Sequence, residues 1–179
     1  MTVLQMPEPA PSRAGDLDFA ILVRQHQAMV FSIAWHFLRD RALAEELAQD
    51  VFLSLHQHLA TLESPEHVLF WLRKVTSNRA LDVVRRRQRR PTVSLEDAPE
   101  PVAAASTGDP MLGSALRKLV TTLPEKARMI VILRYQEDLD PSEIARVLSI
   151  PVGTVKSQLQ RALALLREKL SRRLGEIRL

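Results

Sequence analysis

The sequence predicts an all-α protein: two small helical bundles joined by a flexible linker, the second ending in a helix-turn-helix. Three observations carry this. Leu, Ala, Arg and Glu recur in long runs, with only five glycines and 4% aromatic residues, and no segment alternates apolar and polar residues as a half-buried strand does. Apolar residues return at three- and four-residue spacing along several segments, the period of an amphipathic helix. Between Val93 and Pro110 the chain reads VSLEDAPEPVAAASTGDP, with three prolines, a glycine, four acids and no Lys or Arg, which cannot sustain a packed helix and reads as a tether.

These signals divide the chain into a leader at 1–15, a first bundle at 16–92, a linker at 93–110 and a second bundle at 111–179. The leader holds Pro7, Pro9 and Pro11 and no sustained apolar run, so it reads as disordered and not as a signal peptide. Each bundle is near the lower size for independent folding and must bury most of its leucines.

The first bundle contains at least three helical segments. In the middle one, around Leu43 to Leu62, Leu43, Leu47, Val51, Leu55 and Leu59 fall at four-residue spacing and form the inward stripe. Glu46, Gln49, Asp50 and Leu53 fall together on the opposite face. A leucine inside an acidic outer patch points to a protein partner, although single exposed leucines are also ordinary. The third segment, Phe70 to about Arg90, has apolar residues on more than one side and a polar seam through Lys74, Asn78, Asp82, Arg85 and Arg89. It ends in RRRQRR, five arginines in six residues. A helix C-terminus favours cations, but this run exceeds what capping needs and suits phosphate contacts with counterion release.

In the second bundle, Asp140 is placed to cap a helix, Pro141 suits its first turn, and Glu143 sits where a capping-box carboxylate reaches back. Ile144, Ala145, Val147 and Leu148 give its buried face, and Ser149-Ile150-Pro151 interrupts it. A second helix then turns Val155, Leu159, Ala162, Leu163, Leu166 and Leu170 inward, with Lys156, Ser157, Gln160, Arg161 and Arg167 outward. Helix, turn and basic outer helix together fit major-groove binding. Any antiparallel helix pair gives a similar pattern, so this segment alone leaves DNA binding open.

The chain carries a net charge of +4 and a pI of about 9.9, and residues 111–179 hold 13 Lys and Arg against 7 Asp and Glu. That balance suits a polyanionic partner. There is no cysteine, which excludes disulfide and thiol chemistry. His56 and His58 are two apart on a helix and point in different directions, and no HExxH arrangement, Walker loop or nucleophile elbow occurs. No metal, cofactor or enzymatic activity is expected. No segment approaches the roughly 18 apolar residues that span a bilayer, so a cytoplasmic location without membrane insertion is expected.

Three blocks, in order, resemble bacterial sigma factors of the extracytoplasmic-function type, the compact group with only the sigma-two and sigma-four domains. AEELAQDVF, Ala44 to Phe52, is similar to that family's block for binding core RNA polymerase. FWLRKVTSNRALDVVRRRQRR, Phe70 to Arg90, resembles its minus-ten reading and melting segment. LPEKARMIVILRYQEDLDPSEIARVLSIPVGTVKSQLQRA, Leu123 to Ala162, resembles its minus-35 domain. The resemblance runs from Asp16 through nearly all of the chain.

The resemblance implies roles for particular residues. Glu46, Gln49, Asp50 and Leu53 would grip the clamp helices of the beta-prime subunit. Trp71, Lys74, Asn78, Arg79, Asp82, Arg85 and Arg86 would meet the minus-ten element, with the loop Glu63 to Val68 capturing a flipped base. Thr154, Lys156, Ser157, Gln160 and Arg161 would face the minus-35 major groove. It further implies the beta flap and an anti-sigma factor as partners. Three departures stand out: Thr76-Ser77 where the family often has Ala-Arg, Ser149 where a turn glycine is usual, and Gln158 and Gln160 where Arg and His are common. Two other readings remain at this point, a regulator that uses the second bundle alone on DNA, and a helical adaptor whose basic ends bind acidic proteins.

Overall fold

The computed structural model describes residues 18–89 and 110–176; the expected leader and residues 93–109 of the expected linker lie outside them. All regular structure among the described residues is helical. The first bundle holds α1 (Phe19–Leu38), α2 (Arg41–His58), a 3-10 turn at Leu59–Thr61 and α3 (Pro65–Arg89). The second holds α4 (Pro110–Thr121), α5 (Glu125–Tyr135), α6 (Pro141–Leu148) and α7 (Val152–Glu176). Pro110, expected to close the linker, instead opens α4, as suits a residue whose missing N–H is not needed in a first turn.

Local chemistry sets the helix ends. The Asp18 carboxylate accepts from the Ala20 amide at 2.9 Å and starts α1. Arg39, left-handed at φ 56°, stops it while donating its N–H to the Trp35 carbonyl. Asp40 follows at once and caps α2 by accepting from the Leu43 amide at 3.1 Å. The two helices therefore form a tight hairpin, in which Val30, Ile33 and Phe37 face Leu47, Val51 and Leu55 in the buried core.

The third helix begins earlier than the expected Phe70. Ser64 Oγ accepts from the His67 amide at 3.1 Å, and Pro65 occupies the first turn, so residues 65–68 are helical and the expected base-capturing loop shrinks to Leu62–Ser64. Val68, Leu72, Thr76, Ser77, Ala80 and Leu81 are buried, because α3 packs on α1 and α2 and also on α5 and α6.

That second packing joins the two bundles. Met129, Ile130, Ile132, Leu133, Ile144, Val147 and Val155 belong to the same continuous core as Leu72 and Leu81. A smaller cluster of Leu119, Leu123, Ala127, Val131, Ala162 and Leu166 ties α4, α5 and α7 together. Helix α5 is thus apolar on both sides, with every residue from Met129 to Leu133 buried, the mark of a helix enclosed on more than one side.

Candidate polymerase and nucleic-acid interfaces

The inward stripe of α2 fixes what its other face shows. With Leu47, Val51 and Leu55 buried, Glu46, Gln49, Asp50 and Leu53 all emerge into solvent, Leu53 at 64% exposure. A groove of about 780 Å³ runs beside them between α1 and α2, lined by Phe19, Val23, Phe31 and Phe52 and edged by Gln49 and Leu53. An apolar trough with Leu53 and the Glu45 carboxylate among its lining residues suits a helical protein partner.

This face touches the expected minus-ten stripe. Arg79 of α3 lies 3.5 Å from the Asp50 carboxylate and donates to Ser54 Oγ. His58 Nδ1 donates to the Ser54 carbonyl at 2.8 Å, and the His58 ring lies on Trp71 with centroids 5.7 Å apart. Trp71, half-buried, is therefore held against the end of α2.

Along α3, Asn78, Asp82, Arg85 and Arg86 are exposed and Lys74 is half-buried. Lys74 lies over the Phe70 ring at 5.9 Å, and Arg85 pairs with Asp82 at 3.3 Å. Arg87 reaches back to the Asp40 carboxylate at 3.2 Å. Thr76 and Ser77 are fully buried, with Thr76 Oγ1 donating to the Leu72 carbonyl at 2.7 Å, so neither presents a group to a strand.

The helix-turn-helix has the expected caps. Asp140 accepts from the Ser142 and Glu143 amides at 2.7 and 2.9 Å, and Glu143 accepts from the Asp140 amide at 2.8 Å. The Glu143 N–H group above all, with the Ser142 N–H and the nearby Arg146 and Arg134 charges, holds the Asp140 carboxyl below its ordinary range, against the opposing effect of desolvation. Ser149 is left-handed at φ 54°, and the Ile150 amide returns to the Ala145 carbonyl at 3.0 Å, a Schellman-type close. On α7, Val155, Ala162 and Leu166 are buried, Lys156, Gln160 and Arg161 are exposed, and Thr154 and Ser157 are half-buried. Ser157 Oγ donates to the Thr154 carbonyl at 3.1 Å. The outer face offers two cations, a glutamine and hydroxyls, which read phosphates and base edges.

A second apolar groove, about 400 Å³, is walled by Leu116, Val120, Tyr135, Leu163 and Leu170 of the second bundle, with His36 and Arg39 of α1 among its lining residues. Sequence patterns identified neither groove, nor the contacts between bundles. There Arg73 pairs with Glu137 at 3.4 Å, Arg146 lies over Phe70 at 5.9 Å, Arg128 over Phe37 at 4.6 Å, and Gln88 donates to Glu125. Burial pushes the Glu137 carboxyl above its ordinary range, with Arg73 opposing. The available signal was the unbroken run Met129 to Leu133, too apolar for a helix covered on one side only. Among the described residues no helix is long and apolar enough to cross a membrane.

Residues 22–90 match Sigma-70 region 2 and residues 114–166 match Sigma-70, region 4. The chain is 33% identical over 161 residues to the probable RNA polymerase sigma factor RfaY of Xanthomonas campestris, covering 85% of this chain but only 40% of that protein. It is 32% identical over 163 residues to the ECF RNA polymerase sigma factor SigM of Mycobacterium tuberculosis, covering 90% of this chain and 80% of that one. Among solved structures it resembles the Bartonella quintana sigma factor RpoE, crystallised with the anti-sigma factor NepR, with a TM-score of 0.72 at 22% identity over 86% of this chain and 97% of the other. This last likeness is one of fold.

Proposed function

The chain belongs to the extracytoplasmic-function sigma factors of the sigma-70 family, and from that premise we propose that it is an alternative sigma factor. It joins core RNA polymerase, reads a minus-35 and a minus-ten element, and opens the promoter, without covalent chemistry of its own. The observation that carries this reading is the order of three surfaces on one chain: an exposed α2 face with Glu46, Asp50 and Leu53 beside an apolar groove, a basic stripe on α3 and an exposed recognition helix in α7.

Each surface has a part in the mechanism. Glu46, Gln49, Asp50 and Leu53, with the groove beside them, take the clamp helices of beta-prime. The apolar lining of the groove between α4, α5 and α7 supports this as the place that takes the beta flap. Lys74, Asn78 and Arg85 follow the non-template strand while Trp71 supports the edge of the melted duplex. Base flipping costs a few kcal/mol, which contacts to polymerase and strand together must offset. Lys156, Gln160 and Arg161 take the minus-35 duplex. The anti-sigma factor bound to the Bartonella protein supports a partner of that class here, and the working compartment is the cytoplasm.

The test is selection of duplexes from a random library by the complex of this chain with core polymerase. Recovery of two conserved elements at a fixed spacing is expected. Failure to bind core, or recovery of a single element by the chain alone, would replace this reading with a helix-turn-helix regulator that works outside polymerase.

A further inference from the structure

The last turn of α2 is tied to α3 and to its own end through one serine. Ser54, half-buried, accepts at its hydroxyl from Arg79 of α3 and at its carbonyl from His58 Nδ1, 2.8 Å away. A carbonyl can only accept, so Nδ1 of this imidazole carries a proton. The His58 carbonyl in turn accepts from Thr61 Oγ1 at 2.7 Å, within the 3-10 turn that follows α2. The ring of His58 is thus held by the turn before it and its backbone by the turn after it, although the residue is exposed.

This fixed ring lies on Trp71. The centroids are 5.7 Å apart and the ring planes 36° from parallel, within the spacing at which two aromatic rings attract each other. Among the described residues His58 is the one ring partner of Trp71. The indole also packs, half-buried, against the continuous core. On a helix of 3.6 residues per turn, Asn78 and Asp82 follow Trp71 by about two and about three turns, so the tryptophan heads the line that the proposed strand contacts continue. What the head of that line presents depends on the orientation of the indole. A ring already fixed by its neighbour loses less freedom when DNA meets it. His58 itself belongs to α2, the helix that exposes Glu46, Gln49, Asp50 and Leu53.

Resting on the sigma-factor reading, we propose that His58 is a positioning residue for promoter opening: its ring, fixed by Ser54 and Thr61, holds Trp71 in the orientation in which the indole meets the edge of the melted duplex. His58 acts through Trp71 and not by its own contact with DNA or polymerase. The helix that faces polymerase thereby also shapes the melting site. The contribution belongs to opening and not to first contact with duplex, because Lys156, Gln160 and Arg161 lie on α7 of the other bundle.

The test compares His58→Ala, His58→Phe, Trp71→Ala and the double variant H58A/W71A, each in complex with core polymerase on the selected two-element duplex. Opening is read from 2-aminopurine in the non-template strand of the minus-ten element. His58→Ala should slow opening by about two- to tenfold, the range that an aromatic pair is worth, with affinity for core and for minus-35 duplex unchanged. His58→Phe, which keeps a ring on Trp71 and lacks the Nδ1 donor, should open near the wild-type rate. The double variant should open no more slowly than Trp71→Ala, since the two residues act as one unit. In the free chain, with Trp35→Phe removing the second of the two tryptophans, His58→Ala should raise acrylamide quenching of Trp71 and His58→Phe should not. Trp71→Leu is the second route if Trp71→Ala does not fold by circular dichroism. A normal opening rate in His58→Ala or in the Trp71 variant, a double variant slower than the Trp71 variant, or His58→Phe as slow as His58→Ala overturns the proposal. If the wild-type complex forms no bubble, the sigma-factor reading falls and the role of His58 with it, whereas a bubble formed equally by wild type and His58→Ala removes that role alone.

Discussion

Arg79 of α3 lies 3.5 Å from Asp50 of α2 and donates to Ser54 Oγ in the same helix, so a residue proposed to meet the minus-ten strand is tied to the patch proposed to face polymerase. From the sequence, Asp50 was expected to serve core binding alone. The pair is 38% and 58% exposed, and exposed pairs contribute about 0–1 kcal/mol. Polymerase that takes up Asp50 would therefore release Arg79 at little expense.

Reversing Asp50 to lysine should weaken core binding at least about tenfold, equivalent to about 1.4 kcal/mol, with thermal stability nearly unchanged. Arg79→Ala should leave core affinity within about twofold, well under 1 kcal/mol, while promoter opening falls. Titration of labelled chain with core polymerase, followed by permanganate footprinting of the bubble, separates the two. Unchanged core affinity in the Asp50 variant would remove this face from the assignment.

Arg161 is exposed on α7 and forms no ion pair among the described residues. Arg161→Ala should reduce affinity for a selected minus-35 duplex by about 1–3 kcal/mol if the guanidinium meets a base. If it meets phosphate, the salt slope should drop by about 1 with little change in sequence preference. Anisotropy across a potassium chloride series measures both, and core affinity should not move.

Ser149 holds φ 54° at the end of α6, a left-handed geometry that glycine adopts without a Cβ clash. Ser149→Gly should stabilise the chain by up to about 1 kcal/mol, read as a higher midpoint in thermal unfolding. No gain would mean that the Ser149 side chain offsets its own strain.

The depressed Asp140 carboxyl sets an acid limit on the α6 cap. A lowered folded-state pKa means the contribution is present above the ordinary aspartate range and is lost as pH falls through the depressed value. Asp140→Ala should thus be less stable than the parent at pH 7, and the two should converge as the solution is acidified into and below that range. Equal urea midpoints for parent and variant at both ends of the series would show that the cap contributes nothing, and a gap that does not narrow on acidification would show that the Asp140 charge is not its source.

Much of the fold was legible because its signals are local. Leu47, Val51 and Leu55 repeat every four residues and are buried; Asp140, Pro141 and Glu143 form the cap that their spacing promised. The early start of α3 was also written locally, as Ser64-Pro65, but the apolar period beginning at Phe70 drew the boundary inward. The junction was not legible. Arg73 and Glu137 are 64 residues apart, and nothing in the periodicity of either helix marks them as partners. Leu148 read as the buried face of its own helix and Ile150 as part of the turn, whereas in the structure both line a cleft opposite Asn78, Asp82 and Arg85 of α3.

The most direct measurement is multi-round transcription by purified core polymerase on templates carrying the selected two-element duplex, with start sites mapped at single-nucleotide resolution. The account predicts transcripts from one position downstream of the minus-ten element only when this chain is added, lost in Asn78→Ala and reduced in Arg161→Ala. Core polymerase that gives the same transcripts without the chain, or none with it, contradicts the account.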